Sequence, residues 1–276
     1  MAARIRWSDS RGIRTRRRAA GWTKVLRGTS VCSGVTIKAL SRTKVELFLG
    51  CPRCFWLDVR ARLRRPSGPP FTLNTAVDHL LKNEFDRYRG GTVVPPRLAS
   101  AGLAFIPAAH AELPDWRHNF RGVRVDHAAS GLTVYGAIDD LWIDAAGRYY
   151  VVDYKATAKA DEVSLDAEWQ LAYKRQVEFY QWLLRGRGLG VADRAFFVYA
   201  NGIKDDGPFD DVLRFRTKII AYDGNDHWVE PTLNAATACL ARDDPPGPDP
   251  NCVYCDYAEK TARFGSAADE SEARAA

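Results

Sequence analysis

The chain has 276 residues, 46 % of them hydrophobic and 27 % charged, with a formal net charge of +6. That length builds one sizeable domain, or a core domain with a small appendage. No apolar run approaches the roughly 18 residues that a membrane-spanning helix needs, so the expectation is a cytoplasmic protein without a membrane partner.

The charge is unevenly spread. Residues 1–44 hold twelve Arg or Lys and a single acid, Asp9, so they carry +11 and the remainder carries −5. The run Arg14-Thr15-Arg16-Arg17-Arg18 suits nonspecific contact with phosphates. An acid-poor, Arg-rich start also reads as an unstructured extension or a transit peptide. Residues 1–37 show no sustained period and are assigned as a basic, disordered extension, 38–262 as the domain, and 263–276 as a disordered tail.

Ser41 followed by Lys44, Val45, Leu47 and Phe48 predicts a capped helix, ended or interrupted by Gly50 and Cys51-Pro52-Arg53-Cys54. A Pro/Gly-rich loop over Arg64–Pro70 precedes a second helix, roughly Asn74 to Arg89, with Ala76, Val77, Leu80, Leu81 and Phe85 at helical spacing. Residues 92–130 read as irregular. Leu132–Ile143 and Arg148–Ala156 read as two strands of a hairpin turning at Asp144-Ala145-Ala146-Gly147. A long amphipathic helix is expected over about Asp166–Leu184, strands near Arg194–Ala200 and Val212–Tyr222, and a helix over about Pro231–Arg242. The order implies an α/β core: a small mixed sheet flanked by helices.

The hairpin carries the chemistry. Side chains alternate along a strand, so Asp153 and Lys155 share a face, and Asp139 lies on the paired segment. Two carboxylates and a lysine thus converge. Mg²⁺ or Mn²⁺ suits one or two carboxylates plus substrate phosphate. Such a cation stabilises phosphoryl charge and activates water, and a neighbouring lysine steadies the growing negative charge. The alternative is an ordinary solvated hairpin face. The apolar run Tyr149-Tyr150-Val151-Val152 weighs against it, because charges at the end of a buried strand are costly unless paired or used.

Gly136-x-x-Asp139, Asp153-Tyr154-Lys155 and Gln176-x-x-x-Tyr180 together resemble the RecB-like branch of the PD-(D/E)XK nucleases, over roughly residues 40–260. The resemblance implies a restriction-endonuclease-like core. It also implies metal ligation by Asp139, Asp153 and the backbone carbonyl of Tyr154, with Lys155 as the catalytic lysine. Gln176 and Tyr180, one helical turn apart, match the helix motif that faces the active site; Glu178 and Gln181 are expected in solvent. Where relatives place a histidine on the early helix, this chain has Asp78, with His79 one residue on and Glu84 a weaker candidate. Asp140 competes with Asp139, since a β-bulge would exchange their faces.

Cys51-x-x-Cys54 and Cys252-x-x-Cys255 form two compact hooks, suited by count to Zn²⁺ or an iron–sulfur cluster. Iron–sulfur members of the RecB-like group, the CRISPR-adaptation exonucleases and AddB-type helicase–nucleases, are similar in placing cysteines before and after the nuclease core. That likeness implies a [4Fe-4S] cluster, with Zn²⁺ as the alternative, clamping the N- and C-terminal segments. Cys239 reads as a small core hydrophobe. The combined expectation is a metal-dependent DNA nuclease acting on single strands or free ends, with protein partners in repair, recombination or CRISPR-type defence. The alternative is a nucleic-acid-binding module with a structural clamp and little turnover. Trp142, Tyr154 and Trp169 are candidates for stacking on bases, though more often such residues are core. Arg53, Arg60, Arg62, Arg64 and Arg65 are candidates for phosphate contact.

Overall fold

The structure is a computed structural model that describes residues 37–204, 207–208 and 210–262. The expectations for residues 1–36, including Cys32, and for the tail from 263 lie outside the described residues. The described residues from 37 to 257 pack as one compact unit. Of the other unit, residues 258–262 are described, and they are helical.

The elements are β1 (Ala39–Ser41), α1 (Arg42–Gly50), α2 (Pro52–Val59), α3 (Thr72–Asp86), α4 (Pro96–Ser100), β2 (Ile106–Pro107), α5 (Leu113–Trp116), β3 (Val123–His127), β4 (Leu132–Gly136), β5 (Asp140–Ile143), β6 (Tyr149–Thr157), α6 (Leu171–Gly186), β7 (Arg194–Gly202), β8 (Phe215–Asp223) and α7 (Val229–Leu240). Five strands form one sheet in the order β2-β5-β6-β7-β8, and three form a second in the order β1-β4-β3. In the larger sheet β6 and β7 run parallel, and the other pairs are antiparallel. A parallel pair needs a long crossover, and α6 supplies it. The result is a mixed α/β fold with small mixed sheets flanked by helices.

Helices cover both faces of β6 and β7, which is why these strands read as nearly continuous apolar runs. On one face Val77, Leu81 and Phe85 of α3 pack against Tyr150, Val152, Tyr154, Phe196 and Val198. On the other, Val177, Leu183 and Leu184 of α6 pack against Val151 and Phe197. Strand alternation puts Asp153 and Lys155 with Val151, on the α6 side.

Several elements depart from the sequence reading. The segment Leu132–Ile143 is two strands in two sheets: β4 pairs with β1 and β3, and β5 pairs with β6. Between them Ile138 N–H donates to the Trp116 carbonyl at 3.1 Å, so the backbone leaves one ladder and enters the other there. Asp139 therefore sits in the link before β5, not on the paired strand. Residues 92–130 hold α4, β2, α5 and β3, elements too short to show a period. The helix expected from Asp166 begins at Leu171, preceded by a 3₁₀ turn over Glu168–Gln170. The hook Cys51–Cys54 starts a helix as well as ending one. Cys51 accepts from Cys54 N–H at 3.4 Å, and Pro52 occupies the first turn of α2.

Glu178 and Gln181, expected in solvent, are buried at 6 % and 0 % exposure. The reason is a cover that helical periodicity does not reveal: β8 and the loop before α7 lie over that face. Glu178 accepts from Tyr222 Oη at 2.6 Å, Asn225 N–H at 3.1 Å and Trp228 Nε1 at 2.6 Å. Gln181 donates to the carbonyls of Ala192 at 3.1 Å and Asp193 at 2.7 Å.

Candidate active site

The site forms where β5 stops covering the edge of β6. Pairing of β5 with β6 begins at Asp140 opposite Val152. Beyond that point the β6 backbone on this side has no strand partner among the described residues. Asp139 fills the gap: its Oδ2 accepts from Tyr154 N–H at 2.9 Å. A strand residue's N–H and C=O point to the same side, so the Tyr154 carbonyl opens toward Asp139 as well. Asp139 is thus turned toward the strand that carries Asp153.

Asp153 is wholly buried. Its Oδ2 is ion-paired with the Lys155 ammonium, whereas its Oδ1 meets no partner among the described residues. A buried carboxylate with unspent acceptor capacity is uncommon in a folded protein. The Lys155 ammonium also lies 3.4 Å from Gln176 Oε1 and 4.5 Å from the centroid of Tyr173. Gln176 in turn donates to Tyr180 Oη at 3.1 Å. Gly136 makes this convergence possible: a Cβ there would lie 2.8 Å from Tyr180 Cε1 and 3.3 Å from both Leu183 Cδ1 and Arg42 Cβ. The missing side chain lets α6 approach the end of β4.

The third wall is α3. A narrow cleft between α3 and β6 is lined by Asn74, Val77, Asp78 and Leu81 on one side and Tyr154, Lys155 and Ala156 on the other, with Tyr173. Asp78 faces this cleft and binds Lys82 at 2.8 Å; Lys82 also reaches Asp139 at 3.4 Å. Lys82 therefore stands between the two carboxylates. Its spacing of four from Asp78 was visible in the sequence; its approach to Asp139 was not. His79 points elsewhere, to Asn83 at 3.1 Å. Glu84 is ion-paired with Arg97 at 2.8 Å beside a larger hollow on another part of the surface.

Asp140 has a different job from its neighbour. It is fully buried and faces away from Asp153. It contacts Arg89 at 2.9 Å, Arg117 at 2.8 Å and Tyr154 Oη at 2.6 Å. Both arginines also bind Asp86. Arg117 completes the link by donating to the Asp139 carbonyl at 2.9 Å. Arg89 and Arg117 come from segments read as a helix end and as irregular, so only the fold reveals them.

The family model of the PD-(D/E)XK nuclease superfamily matches residues 69–259. The chain belongs to the PD-(D/E)XK nuclease superfamily. Membership brings metal-dependent cleavage of nucleic-acid phosphodiesters as the family's activity. Among solved structures, one titled "Crystal structure of SSO0001" is similar at 17 % identity and a TM-score of 0.26. That match covers 44 % of this chain and 48 % of the other, about half of its length. No curated protein matches.

In this PD-(D/E)XK chain, burial sets the electrostatics of the acids. Burial pushes Asp153 up from 3.8 to about 7, with Lys155 opposing the shift and Asp139 adding to it. Burial also raises Asp78, helped by the charge of Asp139. For Lys155 burial acts downward, but Asp153 and Asp139 outweigh it and the net shift is up, so it remains a cation at neutral pH. An acid whose folded pKa is raised stabilises fully below its unfolded pKa and loses that contribution as pH rises through the folded value. For Asp153 the window runs from 3.8 to about 7. In chelator-treated protein, wild type is expected to lose several degrees more melting temperature between pH 4 and pH 8 than Asp153→Asn does. Thermal melts of both proteins across pH check this; the same pH dependence for the two counts against it.

The two hooks of this PD-(D/E)XK chain meet in space. Cys51, Cys54, Cys252 and Cys255 are buried with their Sγ atoms all within 4.8 Å of one another. The arginines beside the first hook hold the C-terminal segment: Arg53 binds the Pro246 carbonyl at 3.0 Å, Arg60 the Leu240 carbonyl at 2.8 Å, and Arg65 the Cys252 Sγ at 3.2 Å. Cys239 is buried in the main core. Of the aromatic candidates, Trp142 and Tyr154 are core, whereas Trp169 is 55 % exposed.

Proposed function

We propose that this chain is a metal-dependent nuclease that cuts DNA at single strands or free ends. The observation that carries the reading is the buried Asp153 carboxylate. It is ion-paired with Lys155, feels the charge of Asp139, and sits on a central strand with its Oδ1 unspent. Such a group suits a hard cation of the Mg²⁺ or Mn²⁺ type. Asp139 and Asp153, with the Tyr154 carbonyl, are the residues that would hold it, and Asp78 stands across the cleft. When bound, the cation lowers the pKa of a water nucleophile and stabilises charge on the scissile phosphate.

The chain's own groups do the rest. Lys155 places a fixed positive charge where negative charge grows on the phosphate, and Gln176, steadied by Tyr180, restrains that ammonium. The exposed Trp169 ring lies edge-on to Tyr173, 5.4 Å away, with Lys159 5.0 Å over it. This string of aromatic and cationic groups leads away from Lys155. It suits unpaired bases stacking while the backbone passes the cations. The likeness of the motifs to RecB-like nucleases supports a place in repair, recombination or CRISPR-type defence, with protein partners there.

The test is cleavage of labelled linear single-stranded, linear duplex and circular DNA with Mg²⁺ or Mn²⁺. Wild type is expected to degrade the linear strands. Asp139→Ala is expected to lose at least about 100-fold in rate, some 2.7 kcal/mol of barrier. Equal rates for the two proteins would remove the site assignment. One observation favours a second reading: Lys82 already neutralises Asp78 and Asp139. Wild-type protein that binds DNA but cuts nothing with either cation would select that reading, a binding module without turnover.

A further inference from the structure

We infer that the four cysteines hold one tetrahedral zinc ion rather than a [4Fe-4S] cluster. The sulfur spacing decides between them. Cys51 and Cys255 lie 3.6 Å apart, Cys54 and Cys252 3.7 Å, and Cys54 and Cys255 3.9 Å. No two of the four exceed 4.8 Å. Four thiolates at about 2.3 Å from one tetrahedral zinc are about 3.8 Å from each other. A cubane cluster carries its thiolates on four separate iron corners, which sets them roughly 6 Å apart. The cage closes around one ion and is too narrow for four irons and four sulfides. The spacing is equally far from a disulfide, whose sulfurs are about 2.05 Å apart.

The surroundings suit a closed structural site. Each hook opens a helix: Cys51 caps α2, and Cys252 directly precedes the helix that starts at residue 253. The positive ends of helices favour thiolate charge. Four thiolates around a divalent ion leave a net charge of about −2, and Arg65 offsets part of it by donating to Cys252 at 3.2 Å. Arg65 is held there by stacking over Tyr254 at 4.5 Å. All four ligands come from the protein, so no position is left for substrate or water. Between divalent iron and zinc, a thiolate site of this geometry binds zinc more tightly. The ion joins the start of α2 to the segment after α7. The assignment departs from the cluster implied by likeness to iron–sulfur nucleases, and it stands whether or not the chain cuts DNA.

The test is metal content of the full chain purified without oxygen and without added metal. We expect one zinc per chain, no acid-labile sulfide and no brown absorption. Exchange into Co²⁺ should give the blue-green bands of a tetrahedral cobalt thiolate. Cys252→Ser should lose those bands, and Cys239→Ser should keep them. About four irons and four sulfides per chain, a single iron per chain, or folded protein with no metal would each overturn the inference. The wild-type measurement suffices if Cys252→Ser fails to fold.

Discussion

Lys155→Ala is expected to lower the proposed cleavage rate by roughly 10²–10³-fold while DNA affinity changes only a few-fold. The ammonium is held on three sides, by Asp153, by Gln176 at 3.4 Å and by the Tyr173 ring at 4.5 Å. A cation fixed before the reaction stabilises charge that develops in the transition state at no cost of reorganisation, so its loss falls on kcat. Lys155→Arg should not restore the rate, because a planar guanidinium does not fit a space shaped around a compact ammonium. Single-turnover rates and binding isotherms for the three proteins check this. A Lys155→Ala protein with wild-type turnover, or one whose defect lies wholly in binding, would refute the assigned role.

Asp140→Ala is expected to destabilise the protein by about 3 kcal/mol, because two largely buried guanidiniums lose the buried carboxylate they share and keep only the more exposed Asp86. Arg89 and Arg117 both converge on this carboxylate, which has no exposed surface. Tyr154 Oη, 2.6 Å away, loses its acceptor as well. The fall in melting temperature should be on the order of 10 °C. The informative comparison is the preceding residue. Asp139→Asn is expected to keep near-wild-type stability and lose cleavage, since Asp139 is partly exposed and its main partner is one backbone N–H. Thermal melts of the two variants separate a fold-holding aspartate from a chemistry-holding one. If Asp140→Ala melts within about 2 °C of wild type, the buried ion-pair cluster is not the support described.

The choice between Asp139 and Asp140 shows where sequence reading ran out. Both sit after Gly136, and a shift of one residue exchanges their faces. The spacing Asp153-x-Lys155 placed those two together because strand alternation is a local rule. Gln176 and Tyr180 shared a face for an equally local reason. By contrast, Leu132–Ile143 keeps one period through Gly136, so nothing in the pattern announces that it feeds two sheets. The burial of Glu178 and Gln181 was hidden for a related reason: the partners of Glu178, namely Tyr222, Asn225 and Trp228, lie more than 40 residues away, and those of Gln181, the carbonyls of Ala192 and Asp193, lie beyond the end of its helix.

The amino-acid sequence by itself determined the long helices, the β6 and β7 strands, the face shared by Asp153 and Lys155, and the pairing of cysteines within each hook. All of these follow from backbone periodicity and capping, which act over a few residues. Only the tertiary structure decided which aspartate turns toward the strand that carries Asp153, that Lys82 stands between Asp78 and Asp139, and that Arg89 and Arg117 clamp Asp140. It also decided the width of the cysteine cage. These depend on how far apart separately folded segments come to rest, and that distance is set by side-chain packing across the whole core.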